Sequence, residues 1–190
     1  METNDHRALT TPPGGVLIWF VISMELITFI AGICFYFSYR QDNLALFIEM
    51  QKKLNLNFAV LNTLALITSG YFVAMALNFL KNNEKAKSRL FLLIGIILGF
   101  CFILIKTIEY NEKINQGYTT SLNYFFTFYW FLTFFHYMHV VFATIILGVI
   151  YFKLKKEDEG NIGALEVGAS LWHMCDLIWI ILFPTLFLIR

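Results

Sequence analysis

Charge is scarce in these 190 residues: Asp, Glu, Lys and Arg make up 14% of the chain, and the formal net charge is +1. Soluble domains carry about 25% charged and roughly 45–50% apolar residues. With 58% apolar residues, a water-exposed globule is excluded. The near-zero net charge leaves no basic domain for nucleic acid. Cysteine is also sparse. Cys34, Cys101 and Cys175 lie in three different apolar stretches with no C-x-x-C and no metal-ligand spacing, so they read as buried, unreactive thiols. There is no H-E-x-x-H, no Gly-rich phosphate loop and no G-x-S-x-G elbow. Of three prolines only Pro184 lies within an apolar run. The first apolar run is too long for a signal peptide, and no A-x-A-like site follows it.

What remains is apolar length. Five stretches, about 16–39, 58–80, 90–110, 122–152 and 165–189, are long enough to cross a hydrocarbon core of about 30 Å at roughly 1.5 Å per residue. Their continuous character excludes a β-barrel, whose strands alternate. The expected fold is therefore all-α: a polytopic membrane protein, with one domain of five transmembrane helices over 16–190 and a polar tail over 1–15. Lys and Arg fix the expected orientation. Arg7, Lys81, Lys85, Lys87, Arg89, Lys153, Lys155 and Lys156 fall on one side. Arg40, Lys52, Lys53, Lys113 and Arg190 fall on the other. The excess places the N-terminus in the cytoplasm and the C-terminus outside. The connection 42–57 reads as a semi-polar loop along the outer surface.

Each span carries a few residues that lipid does not welcome. The last holds Glu166, His173 and Asp176, which at 100° per residue fall within about 80° of one another. Ionisable groups at mid-span cost at least about 2.5–3.5 kcal/mol each, so this face is expected to look at other helices. Glu25 interrupts the first span, and reads either as a functional carboxylate or as a neutral acid hydrogen-bonded to a neighbour. Small and hydroxylated residues in the second span, Asn62 to Ala74, and Gly95 and Gly99 in the third, are packing chemistry. Lys106 and Glu109, at i,i+3 near the outer interface, are expected to pair and snorkel. His136 and His139 lie on the fourth span, about 60° apart around the helix.

Three membrane histidines invite a b-type haem. His136 and His139 share a face and cannot flank one porphyrin, although His173 with either one could. A proton-coupled transporter using Glu25, Glu109, Glu166 and Asp176 is a further alternative, weakened by the absence of an internal repeat.

The terminal run LWHMCDLIWIILF resembles the tryptophan-histidine-x-x-aspartate-x-x-tryptophan signature of subunit III of haem–copper oxidases, through Trp172, His173, Asp176 and Trp179. Glu166 matches the family's glutamate at the start of that helix. FHYMHV resembles a phenylalanine-histidine-glycine-leucine-histidine-valine segment: Phe135, His136, His139 and Val140 match, while Tyr137 and Met138 depart. KTIEY is similar to a glutamine-x-x-glutamate-tyrosine run, with Glu109 and Tyr110 kept and Lys106 in place of glutamine. The stretch 19–40 is similar to the helix bearing the family's membrane carboxylate, a role that falls on Glu25.

The resemblance runs in register through all five spans. It implies a five-helix form of a bundle that reaches seven helices in longer members, packed on catalytic subunit I in a bacterial inner membrane. It further implies no redox centre or cofactor of its own, bound phospholipid, and support for proton uptake in subunit I. The proline-glycine opening and the departures at Lys106, Tyr137 and Met138 lean toward the branch associated with nitric oxide reductase. Glu25, His136, His139 and His173 are then expected to form a buried polar cluster locking spans one, four and five together, with Glu25 also buffering protons.

Overall fold

The computed structural model describes residues 15–156 and 162–189; most of the expected tail, and Arg7 and Arg190 of the charge count, lie outside them. Six helices follow one another: α1 (Val16–Asp42), α2 (Leu44–Gln51), α3 (Leu56–Lys81), α4 (Lys85–Asn115), α5 (Tyr124–Lys156) and α6 (Ile162–Phe183). All but α2 are long and apolar enough to span a bilayer, and no strand occurs among the described residues. The protein is an all-α polytopic membrane protein.

Local chemistry sets the boundaries. The Asn55 side chain accepts from the Asn57 N–H at the start of α3, and Asn123 does the same for Phe126 at the start of α5, so each helix opens on a polar cap. The α3–α4 turn passes through Asn83 at φ 61°, where asparagine tolerates the left-handed conformation. Gly117, at φ 79°, closes α4, with the Tyr118 N–H reaching back to the Lys113 carbonyl.

Helix α6 is the centre of the bundle. It packs on α5, α3 and α1, and 56% of its most apolar window is buried, against 17–33% in the other four spans. Helix α1 is the most peripheral. Close approach at the centre depends on small residues. Ser69 Oγ donates to the Gly95 carbonyl across 2.7 Å, and a Cβ on Gly95 would meet Val73 at 2.9 Å. One turn on, a Cβ on Gly99 would overlap the buried indole of Trp172. The two glycines thus share a stripe but admit two different helices, α3 and α6.

Three expectations need correction. The connection after α1 is not a surface loop: it holds α2, whose Phe47 and Gln51 are buried, with Phe47 against Tyr36 and Phe125. Beyond Phe183 the chain does not end as an α-helix. Proline has no N–H to donate, and Pro184–Leu188 widens into a π-helical turn. Its loosened carbonyls find donors elsewhere: Gln51 Nε2 reaches Leu186 O at 3.1 Å, and Arg40 Nη2 reaches Ile189 O at 3.1 Å. The cysteines also differ in setting. Cys175 is buried, but Cys34 is exposed on the apolar outer face of α1.

Candidate functional site

The polar residues of the spans do not gather into one cluster. They fall into separate groups, each fixed by a different helix pair.

Glu25 on α1 meets His139 on α5, Oε2 to Nε2 at 3.1 Å. The imidazole is held by Phe135, whose ring lies at 4.6 Å and whose carbonyl lies 2.8 Å from Nδ1, and by the Phe29 ring at 5.8 Å. A carbonyl oxygen only accepts, so Nδ1 carries a hydrogen and donates it. That leaves Nε2 turned toward the Glu25 carboxyl. Both side chains are partly exposed and border a cavity of about 120 Å³ with Phe142, Leu171 and Met174.

His136, one turn away, takes no part in this pair. It is fully buried, lies roughly parallel to the Trp179 indole at 5.3 Å and meets the edge of Phe102 at 5.8 Å. Rings crowd His136, whose two ring nitrogens have no hydrogen-bond partner among the described residues, while both nitrogens of His139 are engaged.

Toward the α2 end, Lys106 Nζ pairs with Glu109 Oε2 at 3.0 Å, and Tyr129 Oη donates to Glu109 Oε1 at 2.6 Å. The pairing is present, but the expected snorkelling is not: both side chains are 0% exposed. The ammonium sits 5.2–5.6 Å from the rings of Tyr110, Tyr129, Trp179 and Phe187. Sequence reading missed this cage. Its one available signal was a lysine inside an apolar run, three residues before a glutamate.

Along α6 the three polar residues diverge. Glu166 pairs with Lys81 at 2.7 Å at the α3–α4 end, both partly exposed. Asp176 is buried against Gly70 of α3, where any Cβ would collide with its Oδ2. His173 Nδ1 lies 3.4 Å from Asp176 Oδ2, and its side chain is 46% exposed. The expectation that this whole face looks inward therefore fails at His173.

Among the described residues, no three His, Cys, Asp or Glu side chains converge as metal ligands would. The sequence of residues 14–189 matches the family described as cytochrome c oxidase subunit III, which takes in all five spans. The chain belongs to the cytochrome c oxidase subunit III family. It is 28% identical to the probable cytochrome c oxidase subunit 3 of Mycobacterium bovis over 178 residues, 93% of this chain and 87% of that protein. It is 34% identical to the probable subunit 3 of Rickettsia prowazekii over 137 residues, and 32% identical to subunit 3 of Rhipicephalus sanguineus over 133. Those matches take in 68% and 67% of this chain but only 47% and 49% of the longer proteins.

In this member of the family the four signature residues of α6 do different things. Trp172 fills the space that Gly99 leaves open. Trp179 covers His136 and donates its indole N–H to Thr63 Oγ1 at 2.9 Å, tying α6 to α3. Asp176 seats on Gly70, and His173 points outward beside it.

Proposed function

We propose that this chain is a non-redox accessory subunit of a respiratory haem–copper oxidase in the bacterial inner membrane, bound to catalytic subunit I. In this reading its N-terminus is cytoplasmic and its C-terminus outside. It stabilises subunit I, holds phospholipid and sustains proton uptake. The observation that carries the reading is the family match through every span. Relatives that are cytochrome c oxidase subunits favour an oxidase host over a nitric oxide reductase.

The geometry supports the finer roles. Glu25 and His139 meet at 3.1 Å beside a cavity, an arrangement in which a proton shared between carboxyl and imidazole would leave no bare charge in the bilayer. A groove of about 350 Å³ between α1 and α6, bordered by Trp19, Ile22, Leu26 and Met174 with Ser170 and His173 on the α6 side, offers a largely apolar bed for an acyl chain.

The test is purification of the tagged chain in mild detergent from its native membrane, with identification of what accompanies it. A haem–copper oxidase subunit I is the expected companion, and a nitric oxide reductase catalytic subunit is the other host this experiment would recognise. Recovery of the intact chain with neither contradicts the proposal.

A further inference from the structure

His173 lies 11 residues after Ile162 and 15 before Leu188, close to the middle of its span. At roughly 1.5 Å per residue it stands about 16 Å from the start of α6, near the bilayer midplane. An imidazole that is 46% exposed at this depth faces hydrocarbon in the isolated chain. Beside it Asp176, with the whole residue only 8% exposed, lines a groove between α3 and α6. Its Oδ1 is buried and has no hydrogen-bond partner among the described residues. Gly70 is what lets the carboxylate sit there. The groove is otherwise apolar, rimmed by Tyr71, Leu177 and Ile180, and measures about 290 Å³.

The exposed ring states what the occupant has to be. With His173 Nδ1–H donating to Asp176 Oδ2, the ring position left over, His173 Nε2, is an acceptor on a side chain that lines the groove, while Asp176 Oδ1 stays buried. Acyl chains have no donor, and headgroup donors lie at the interface, half a bilayer away. A donor at the midplane comes from protein. It is a side-chain O–H or N–H on a helix that crosses at this depth.

We propose that the α3–α6 groove seats a transmembrane helix of the catalytic subunit, which donates a hydrogen bond to the Asp176–His173 pair. The proposal rests on the accessory-subunit reading and names the face of the chain through which it assembles. Tyr71, Leu177 and Ile180, each exposed in the isolated chain, then become the apolar rim around a polar centre.

The experiment uses the chain in its native membrane, with a photo-crosslinking amino acid at Tyr71 or at Ile180. Phe152, equally exposed on α5, serves as the comparison site. Adducts with the catalytic subunit are expected from Tyr71 and Ile180, in clear excess over Phe152. A second arm replaces both Asp176 and His173 by Leu. It is expected to lower the catalytic subunit recovered with the chain by roughly tenfold or more, the loss expected for a buried hydrogen bond to a charged group. Asp176→Asn, which keeps an acceptor for His173 Nδ1–H and so the orientation of the ring, is expected to retain the complex. Adducts at Tyr71 and Ile180 with lipid or a second copy only, while the catalytic subunit still accompanies the chain, overturn the docking face and leave the accessory reading standing. Failure of the unmodified chain to bring any catalytic subunit overturns both.

Discussion

Replacing Lys106 by methionine removes the cation from a site that water does not reach. The ammonium lies 3.0 Å from Glu109 Oε2, and both side chains are fully buried. At that separation, with an effective dielectric constant of about 20, the attraction amounts to roughly 5–6 kcal/mol. Burying the two ions costs several kcal/mol each, so the intact pair contributes little net stability. Breaking it is another matter. In Lys106→Met the Glu109 carboxylate keeps, among the described residues, only the Tyr129 hydroxyl at 2.6 Å, and the expected loss is about 3–5 kcal/mol. Methionine fills a similar volume and suits the aromatic walls, so lost packing is a minor part of that figure. The double change Lys106→Met with Glu109→Gln keeps an acceptor for Tyr129 and removes the stranded charge. It is expected to return to within about 1–2 kcal/mol of the parent. Unfolding midpoints in mixed micelles of increasing denaturing detergent measure all three proteins. A loss below about 1 kcal/mol for the single change, or no recovery in the double, refutes the account of a mutually neutralised buried pair.

Gly99→Ala drives a methyl group into the Trp172 indole, which is fully buried and cannot swing aside, and is expected to cost about 1–3 kcal/mol in the same assay. Gly148→Ala meets nothing within 4 Å and is expected to be neutral or to stabilise by up to about 1 kcal/mol; an equal loss at both sites would contradict the close-approach argument. Glu25→Gln still offers an amide donor to His139 Nε2 but no transferable proton. Assembly is expected to stay intact while the complex loses activity sooner during sustained turnover, and loss of haem from the complex on this change would contradict it. Lys81→Ala breaks a partly exposed pair with Glu166 and is expected to shift stability by less than about 1 kcal/mol, checked by the same unfolding midpoints.

The five spans were legible because a membrane helix leaves a coarse signal: some twenty apolar residues flanked by charge. The signature residues of α6 were legible as a family pattern. Their separate partners were not. Glu25 had three histidines within plausible reach, and helical periodicity alone cannot choose among them. His136 and His139 are only three residues apart, yet one faces Trp179 and the other Glu25, because the roughly 60° between them spans the gap from α6 to α1. Lys106 was misplaced for a related reason. Its position near a span end suggests an interface, but the rings of Tyr129, Trp179 and Phe187 close over it, Phe187 from the π-helical turn that Gln51 of α2 holds through the Leu186 carbonyl. Neither element is legible in the sequence, α2 because eight residues make a weak periodic signal, and the turn because a proline announces a departure from the α-helix without saying which one. His173 was expected to face inward on the cost of exposing it to lipid, a rule that holds for the assembled complex and not for one chain alone.

The central claim is that the chain's imidazoles and carboxylates serve protein contacts and protons while a companion subunit carries the redox chemistry. Optical absorption with haem and iron stoichiometry, measured first on the native complex and then on this chain after it has been separated, addresses that most directly. The complex is expected to carry haem, and the separated, still-folded chain to show no Soret band and no stoichiometric iron. A folded chain that retains haem at one equivalent, with His136, His139 or His173 as the ligand, would contradict the account.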